Sequence, residues 1–262
     1  VNILGIMCGL SGKYESLAEK VDRSQRLSRD EASVLAGAPL ALLGLLASRV
    51  KERKSGREVY YNRNFHIEPT NICVFNCRFC SYRRPAGASD AWDYSEEEIL
   101  AQVEAHRIGI STNATILYGH VENWEHRIDH LRRLRELQDR TGGFNAFIPL
   151  KYRNFGNPMS EIGEVSVIED LRMLAMSRIY LDNVPHIKAY WVMYGKATTE
   201  LALAFGADDI DGTIDDTTKI YSMAGADDRR PSMSVEEMRR IVRAAGCRAV
   251  ERDTFYNELP DR

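Results

Sequence analysis

From Tyr94 onward, stretches with strand character alternate with stretches of helical periodicity, and this alternation constrains the fold more than any other feature of the chain. Residues 95–107 carry acidic groups early and apolar ones at helical spacing. Residues 109–119 (GISTNATILYG) read as a strand, 121–140 as a long helix and 142–150 (GGFNAFIPL) as a strand. The pattern continues with a helix over 165–181, a strand over 186–194 (HIKAYWVMY), a helix over 196–205 and a strand over 207–214. A helix over 234–245 opens on the capping pattern Ser234-Val-Glu-Glu237, and CRAVERD ends the series as a short strand. Such alternation predicts βαβ units around a parallel sheet, with functional groups gathered at the carboxyl ends of the strands.

Upstream, residues 12–55 read as helical. Ser28-Arg-Asp-Glu31 is a capping box opening one helix, and a second is expected from about Pro39 to Glu52, ending near Gly56. VYYNRNFHIEPT is extended chain leading into the first strand. The expected organisation is an N-terminal helical segment over 1–57 and an α/β unit over 58–262.

A loop follows that first strand. Within HIEPTNICVFNCRFCSYRR, residues 66–84, Cys73, Cys77 and Cys80 are spaced Cys-x3-Cys-x2-Cys. Three thiolates at this spacing suit three irons of a [4Fe–4S] cluster and leave the fourth iron open to a small-molecule chelator. S-adenosylmethionine (SAM) is the cofactor that uses such an open iron for radical chemistry. Structural zinc remains a second reading, but it takes paired ligands, and no second pair follows; His66 is the one nearby candidate. A disulfide framework fits poorly with five cysteines in 262 residues. Cys8 and Cys247 read as small apolar residues.

The net charge of −3 offers no electrostatic case for nucleic acid. The Arg- and His-rich run 127–140 has Asp and Glu interleaved and reads as a solvated helix face. No apolar stretch reaches the 18 or more residues of a membrane span, so no membrane partner is expected. Reduced cysteines point to the cytoplasm.

The cysteine motif resembles the signature of the radical SAM superfamily. Taken with residues 111–154 and 189–213, it resembles one family within it, the aminofutalosine synthases of menaquinone biosynthesis, from about Leu17 onward. The Tyr-Gly-His and Gly-Gly-Phe segments alone also resemble dehypoxanthine futalosine cyclase and the deazaflavin (F0) synthases. The resemblance implies a TIM-like (βα) barrel, a [4Fe–4S] cluster on Cys73, Cys77 and Cys80, and SAM. It implies addition of the 5′-deoxyadenosyl radical to the enol-ether double bond of 3-[(1-carboxyvinyl)oxy]benzoate, with loss of a carboxylate as bicarbonate. The enzyme is then a transferase fed by a reductant such as flavodoxin or ferredoxin.

Placement residues follow from that reading. Phe79, Tyr82 and Asn71 are candidates beside the cofactor, and His120 and Glu68 are catalytic candidates. Lys151, Arg153 and Thr213 are candidates for the substrate, with Arg153 suited to bidentate pairing with a carboxylate. Plainer readings stand beside four of them: Glu68 as a cap on a neighbouring backbone group, His120 as a residue of a helix N-cap region, and Lys151 and Arg153 as surface charges.

The chain also departs from the family. The helix beginning near Ser95 runs directly into EAHRIGISTNATILYGH, and the strands that should intervene are absent, with the glycine-rich motif that meets SAM. Three βα units, about 90 residues, are missing by this count. The expectation is a partial, open barrel of about five parallel strands. Its first strand is left at an edge or pairs with the Ile110 strand, and the remnant either stays open and distorted or self-associates through the gap.

Overall fold

Ser28 shows how this sequence starts its elements. Its side chain accepts from the Glu31 backbone while the Glu31 carboxylate accepts from Ser28 N–H, so the predicted capping box is formed. The computed structural model describes residues 12–63, 72, 80, 84–91, 112–155, 157–213 and 232–260. Among the described residues three helices come first: α1 (Gly12–Asp22), α2 (Arg29–Ala36) and α3 (Leu40–Ser55), the last ended by Gly56 at positive φ.

The alternating part then runs β1 (Glu58–Asn62), β2 (Thr112–Tyr118), α4 (Trp124–Thr141), β3 (Phe144–Lys151), α5 (Val167–Tyr180) and β4 (His186–Ile187). It continues with α6 (Trp191–Tyr194), α7 (Lys196–Ala202) with a 3-10 turn at Leu203–Phe205, β5 (Asp209–Gly212), α8 (Val235–Ala244) and β6 (Arg248–Glu251). The predicted helix over 95–107 lies outside the described residues.

All strand pairs are parallel, in two triplets, β2-β3-β4 and β5-β1-β6. A parallel bridge between Lys188 and Asp209, with Ala189 N–H donating to Asp209 C=O and Asp208 N–H to Ile187 C=O, joins them. The order is therefore β2-β3-β4-β5-β1-β6, with no closure between its ends among the described residues. This is the expected open, partial βα barrel of five strands plus a C-terminal one. One expectation fails. β1 is neither an edge nor paired with β2, because β6 runs along its other side in unbroken register from Glu58↔Arg248 to Tyr61↔Glu251. The C-terminal segment supplies a neighbour that the sequence pattern did not assign to it.

A second difference concerns 186–194. Its β-branched and aromatic residues read as one strand, yet the strand stops at Ile187 and Trp191–Tyr194 forms a helical turn. Side-chain bonds hold the turn: Trp191 Nε1 donates to Gly212 C=O at 2.9 Å and Tyr194 OH to Pro149 C=O at 2.6 Å. Tertiary contacts override propensity here.

The strands alternate cleanly. Val59, Tyr61, Ala114, Ile116, Tyr118, Phe147, Ile187 and Ile210 point to one face and join a single apolar core with the helices, the N-terminal ones included. In a βα barrel the helices lie outside, so the opposite face lines the lumen. That inner face carries Tyr60, Asn62, His186, Lys188, Asp209, Asp211 and Arg252, while Asn113 and Thr115 on the β2 side are exposed. Among the described residues no helix is long and apolar enough to cross a membrane.

Candidate active site

The carboxyl ends of β2 and β3 carry three of the sequence-predicted residues. After Tyr118 the chain turns sharply at Gly119, φ +90°, where a Cβ would lie 3.0 Å from Val165. The turn is clamped by Glu122, whose carboxylate accepts from Gly119 N–H at 2.6 Å, His120 N–H at 2.9 Å and Arg127 Nε at 2.7 Å. Burial pushes the Glu122 carboxyl up, but those donors outweigh it and its pKa lies below the ordinary glutamate value. His120 Nδ1 is 3.2 Å from Glu122 Oε2 and accepts from Val121 N–H at 2.6 Å. Its ring meets the edge of Tyr152, which caps the loop after β3 through Asn157 and Met159.

Lys151 is buried, not a surface charge. Its Nζ donates to Asp170 Oδ2 on α5 at 2.9 Å, and Tyr118 OH donates to Asp170 Oδ1 at 2.6 Å. Tyr194 OH lies 3.3 Å from Tyr118 OH. This network sits on the helix side of the sheet. Burial pushes the Asp170 carboxyl up despite these donors, and pushes Tyr118 and Tyr194 well above the tyrosine range. Arg153 is half-buried, 3.2 Å from Glu164 and donating to Met193 C=O. Thr213, beyond β5, donates its N–H to Asn62 C=O. The structure thus gathers His120, Lys151 and Arg153 at adjacent strand ends, with Lys151 turned into the helix layer and Thr213 across the sheet.

The residues expected around a cluster are described only in part. Cys80 is half-buried and in no disulfide, as a thiolate ligand must be. Cys73, Cys77, Glu68, Asn71, Phe79 and Tyr82 lie outside the described residues. A donor set of three thiols without a fourth suits a cluster with one open iron.

Sequence reasoning passed over a group on the inner face. Asp209, with no solvent exposure, accepts at Oδ2 from Arg252 at 2.6 and 2.9 Å and from Tyr256 OH at 2.6 Å. Lys188 donates to Asp211 Oδ1 at 2.6 Å, and Asp211 holds φ +70°. Tyr256, at φ +64°, stacks on His186 with ring centroids 3.8 Å apart. Non-glycine residues at positive φ are costly and concentrate at functional sites. The available signal was the period of two through HIK and DDID, which puts the charges of both strands on one face.

Residues 67–182 match the radical SAM superfamily, and residues 141–261 match the CofH/MqnC C-terminal region. The aminodeoxyfutalosine synthase of Thermus thermophilus is 30% identical, aligned over 93% of this chain and 95% of that protein. The chain belongs to the aminodeoxyfutalosine synthase family. Its members are radical SAM proteins, which use a [4Fe–4S] cluster and SAM. The cyclic dehypoxanthine futalosine synthase of Streptomyces coelicolor is 38% identical over a shorter stretch, 67% of this chain and 43% of that one. In fold, the chain is similar to the FeFe-hydrogenase maturase HydG of Carboxydothermus hydrogenoformans, with TM-score 0.68, 14% identity, 92% of this chain and 80% of that one.

The alignment to the Thermus synthase also measures the shortening. It runs over 355 positions, whereas 93% of 262 residues is about 244, so about 110 positions of the relative face no residue here. Both chains are covered almost end to end, so the gap is internal, and its size is three to four βα units of a (βα)8 barrel.

Proposed function

We propose that this aminodeoxyfutalosine synthase family member adds the 5′-deoxyadenosyl group of SAM to 3-[(1-carboxyvinyl)oxy]benzoate, forming aminofutalosine. The observation that carries the reading is the near end-to-end likeness to the Thermus synthase, with three thiols retained at Cys-x3-Cys-x2-Cys. When bound, the cluster and SAM supply a 5′-deoxyadenosyl radical.

The chain's own residues bind, orient and exclude water. In this reading Cys73, Cys77 and Cys80 hold the cluster, and Phe79, Tyr82 and Asn71 line the cofactor. Glu68 and His120 handle protons beside the substrate; the clamp on Gly119 and His120 by Glu122 supports a fixed His120 ring. Arg153 and Thr213 meet the substrate. Lys151 acts through Asp170, by fixing the end of β3. Residues 1–57 buttress the barrel and 58–262 carry the chemistry. The partners are a small-molecule acid and a flavodoxin- or ferredoxin-type reductant in the cytoplasm, without nucleic acid, and copies associate through the barrel gap.

The test is methionine release from SAM by the anaerobically reconstituted, reduced protein with the enol ether. Release coupled to aminofutalosine supports the reading. Free 5′-deoxyadenosine in place of an adenosylated product identifies a cyclase-like enzyme, the reading that the 38% identity to the cyclic dehypoxanthine futalosine synthase favours. A loaded cluster without release identifies a chain that binds the cluster but has lost turnover with its missing units.

A further inference from the structure

Lys188 is a buried charge whose hydrogen bonding is incomplete among the described residues. It is 5% exposed, on the inner face at the carboxyl end of β4. An ammonium has three N–H donors. Among the described residues Lys188 Nζ makes one hydrogen bond, to Asp211 Oδ1 at 2.6 Å. The other nearby carboxylate, Asp209, is 3.9 Å away, outside bonding range.

Asp209 is held off by other donors. Its Oδ2 accepts from the Arg252 guanidinium and Tyr256 OH, and its Oδ1 accepts from Asp211 N–H at 2.6 Å. The C-terminal segment therefore takes Asp209 and, among the described residues, leaves two of the Lys188 donors unused on the inner face. Buried donors normally find partners, and those that do not call for a ligand or another explanation.

A second orphan lies on the same face. Asn62 Oδ1, at the carboxyl end of β1, is buried and has no hydrogen-bond partner among the described residues. Asn62 stands two strands from Lys188, about 10 Å sideways at ordinary strand spacing, and two residues beyond Tyr60, the β1 position level with Lys188. A cationic donor pair and a carbonyl acceptor across one lumen suit a small polar ligand that carries a carboxylate.

We propose that Lys188 is the cation that receives a carboxylate of the substrate, and that Arg252 and Tyr256 are positioning residues that keep it available by holding Asp209. The proposal rests on the substrate assigned above. It differs from that assignment in moving the principal carboxylate contact from the strand ends near Arg153 to the β4–β5 side of the lumen.

The test measures binding without turnover. 3-[(1-carboxyvinyl)oxy]benzoate is titrated calorimetrically into the anaerobically reconstituted protein with SAM and no reductant. Lys188→Met is expected to weaken binding about 10- to 100-fold, the loss of a charge-assisted hydrogen bond, with SAM affinity unchanged. Because that variant leaves Asp211 buried without its cation, Lys188→Met/Asp211→Asn is measured beside it. The proposal expects the double variant to bind as weakly as the single one; recovery of wild-type affinity would mean that Lys188 serves only to neutralise Asp211, and overturns it. Wild-type affinity in the single variant overturns it as well, as does a wild-type protein that binds no enol ether. If binding depends on Lys188 but the reduced wild-type protein releases no methionine, the catalytic reading fails and the binding site stands. If the wild-type protein makes aminofutalosine and Lys188→Met leaves KM unchanged, the reverse holds.

Discussion

Two polar groups flank the same sheet, and they differ in completeness. On the helix side, Asp170 accepts from Lys151 and Tyr118, and Tyr194 ties the group to the β3 backbone. On the inner face, among the described residues, Lys188 has one hydrogen bond, Asn62 Oδ1 has none, and Asp211 and Tyr256 sit at positive φ. The residue types are alike: each group combines lysine, aspartate and tyrosine. The contrast teaches that the chemistry of a residue does not assign its role. A satisfied network holds elements together, and an unsatisfied one with strained backbone keeps capacity for a ligand.

The sharpest way to break this contrast is Asp170→Ala. It leaves the Lys151 ammonium buried without its carboxylate and Tyr118 without its acceptor. Removing one partner of a buried pair costs about 3–5 kcal/mol, which for a chain of this size lowers Tm by about 6–20 °C. Calorimetric melting measures it. Affinity for the enol ether, measured well below the melt, is expected to stay at wild-type level. A large affinity loss with little change in Tm would show that the helix-side group serves the ligand after all.

Acid titration sharpens the same comparison. Asp208 is fully buried; burial opposes its ionisation, yet Arg178 at 2.5 Å, His186 and Ser55 hold its pKa at about 2. Its folded pKa is below its unfolded value, so its contribution to stability is complete above the ordinary aspartate range and is lost as pH falls from about 4 through 2. Asp170 has the opposite sign. Its folded pKa is raised, so the folded state holds the proton more tightly, and stability from this group declines as pH rises through the ordinary aspartate value. Denaturant midpoints from pH 2 to 6 should show a shallower acid loss in Asp208→Asn and a steeper rise with pH in Asp170→Asn, each against the wild type. Identical slopes in all three proteins would contradict both assignments.

A smaller effect is expected on the inner face from Tyr256→Phe. The ring keeps its stack on His186, and Asp209 loses one donor while Arg252 remains. A hydrogen bond to a charged group is worth about 1.5–3 kcal/mol. Chemical denaturation should find a loss in that range. Because Asp209, with its Oδ1 3.9 Å from Lys188 Nζ, is then held by one donor fewer, it competes better for Lys188, and enol-ether affinity should fall as well, by less than in Lys188→Met. Loss of stability without loss of affinity would leave Tyr256 a structural residue alone.

Much of this architecture was legible in the sequence because it is written in local chemistry. Ser28 and Glu31 marked α2, Gly56 the end of α3, and the strand-like stretches 109–119, 142–150 and 207–214 marked β2, β3 and β5. Partners distant in the chain were not legible. Nothing in CRAVERD says that β6 runs beside β1, and nothing in YWVMY says that Trp191 reaches Gly212 and folds the segment back. The site divided in the same way. The thiol spacing was readable from one loop, whereas Lys188, Asp209, Asp211, Arg252 and Tyr256 come from three segments that only the fold brings together. Lys151 was selected as a strand-end cation, but whether it faces the lumen or the helices turned on Asp170, on the helix packed behind it.

The smallest expected effect tests the boundary of the comparison, where a pair is exposed and neither buried nor strained. Lys196 and Glu237 lie 2.9 Å apart, with side chains 43% and 30% exposed. They join α7 to α8, so their geometry resembles that of the buried pairs. Solvent screening and side-chain entropy leave exposed pairs worth about 0–1 kcal/mol. Lys196→Ala should therefore shift the denaturation midpoint within that range, and added salt should shrink the difference. Gly119→Ala stands between this and the buried pairs: at φ +90° with Val165 3.0 Å from the new Cβ, it should cost at least about 1–2 kcal/mol. A Lys196 effect as large as that of Gly119 would mean that the α7–α8 contact is a structural joint in its own right, and that exposure misjudges it.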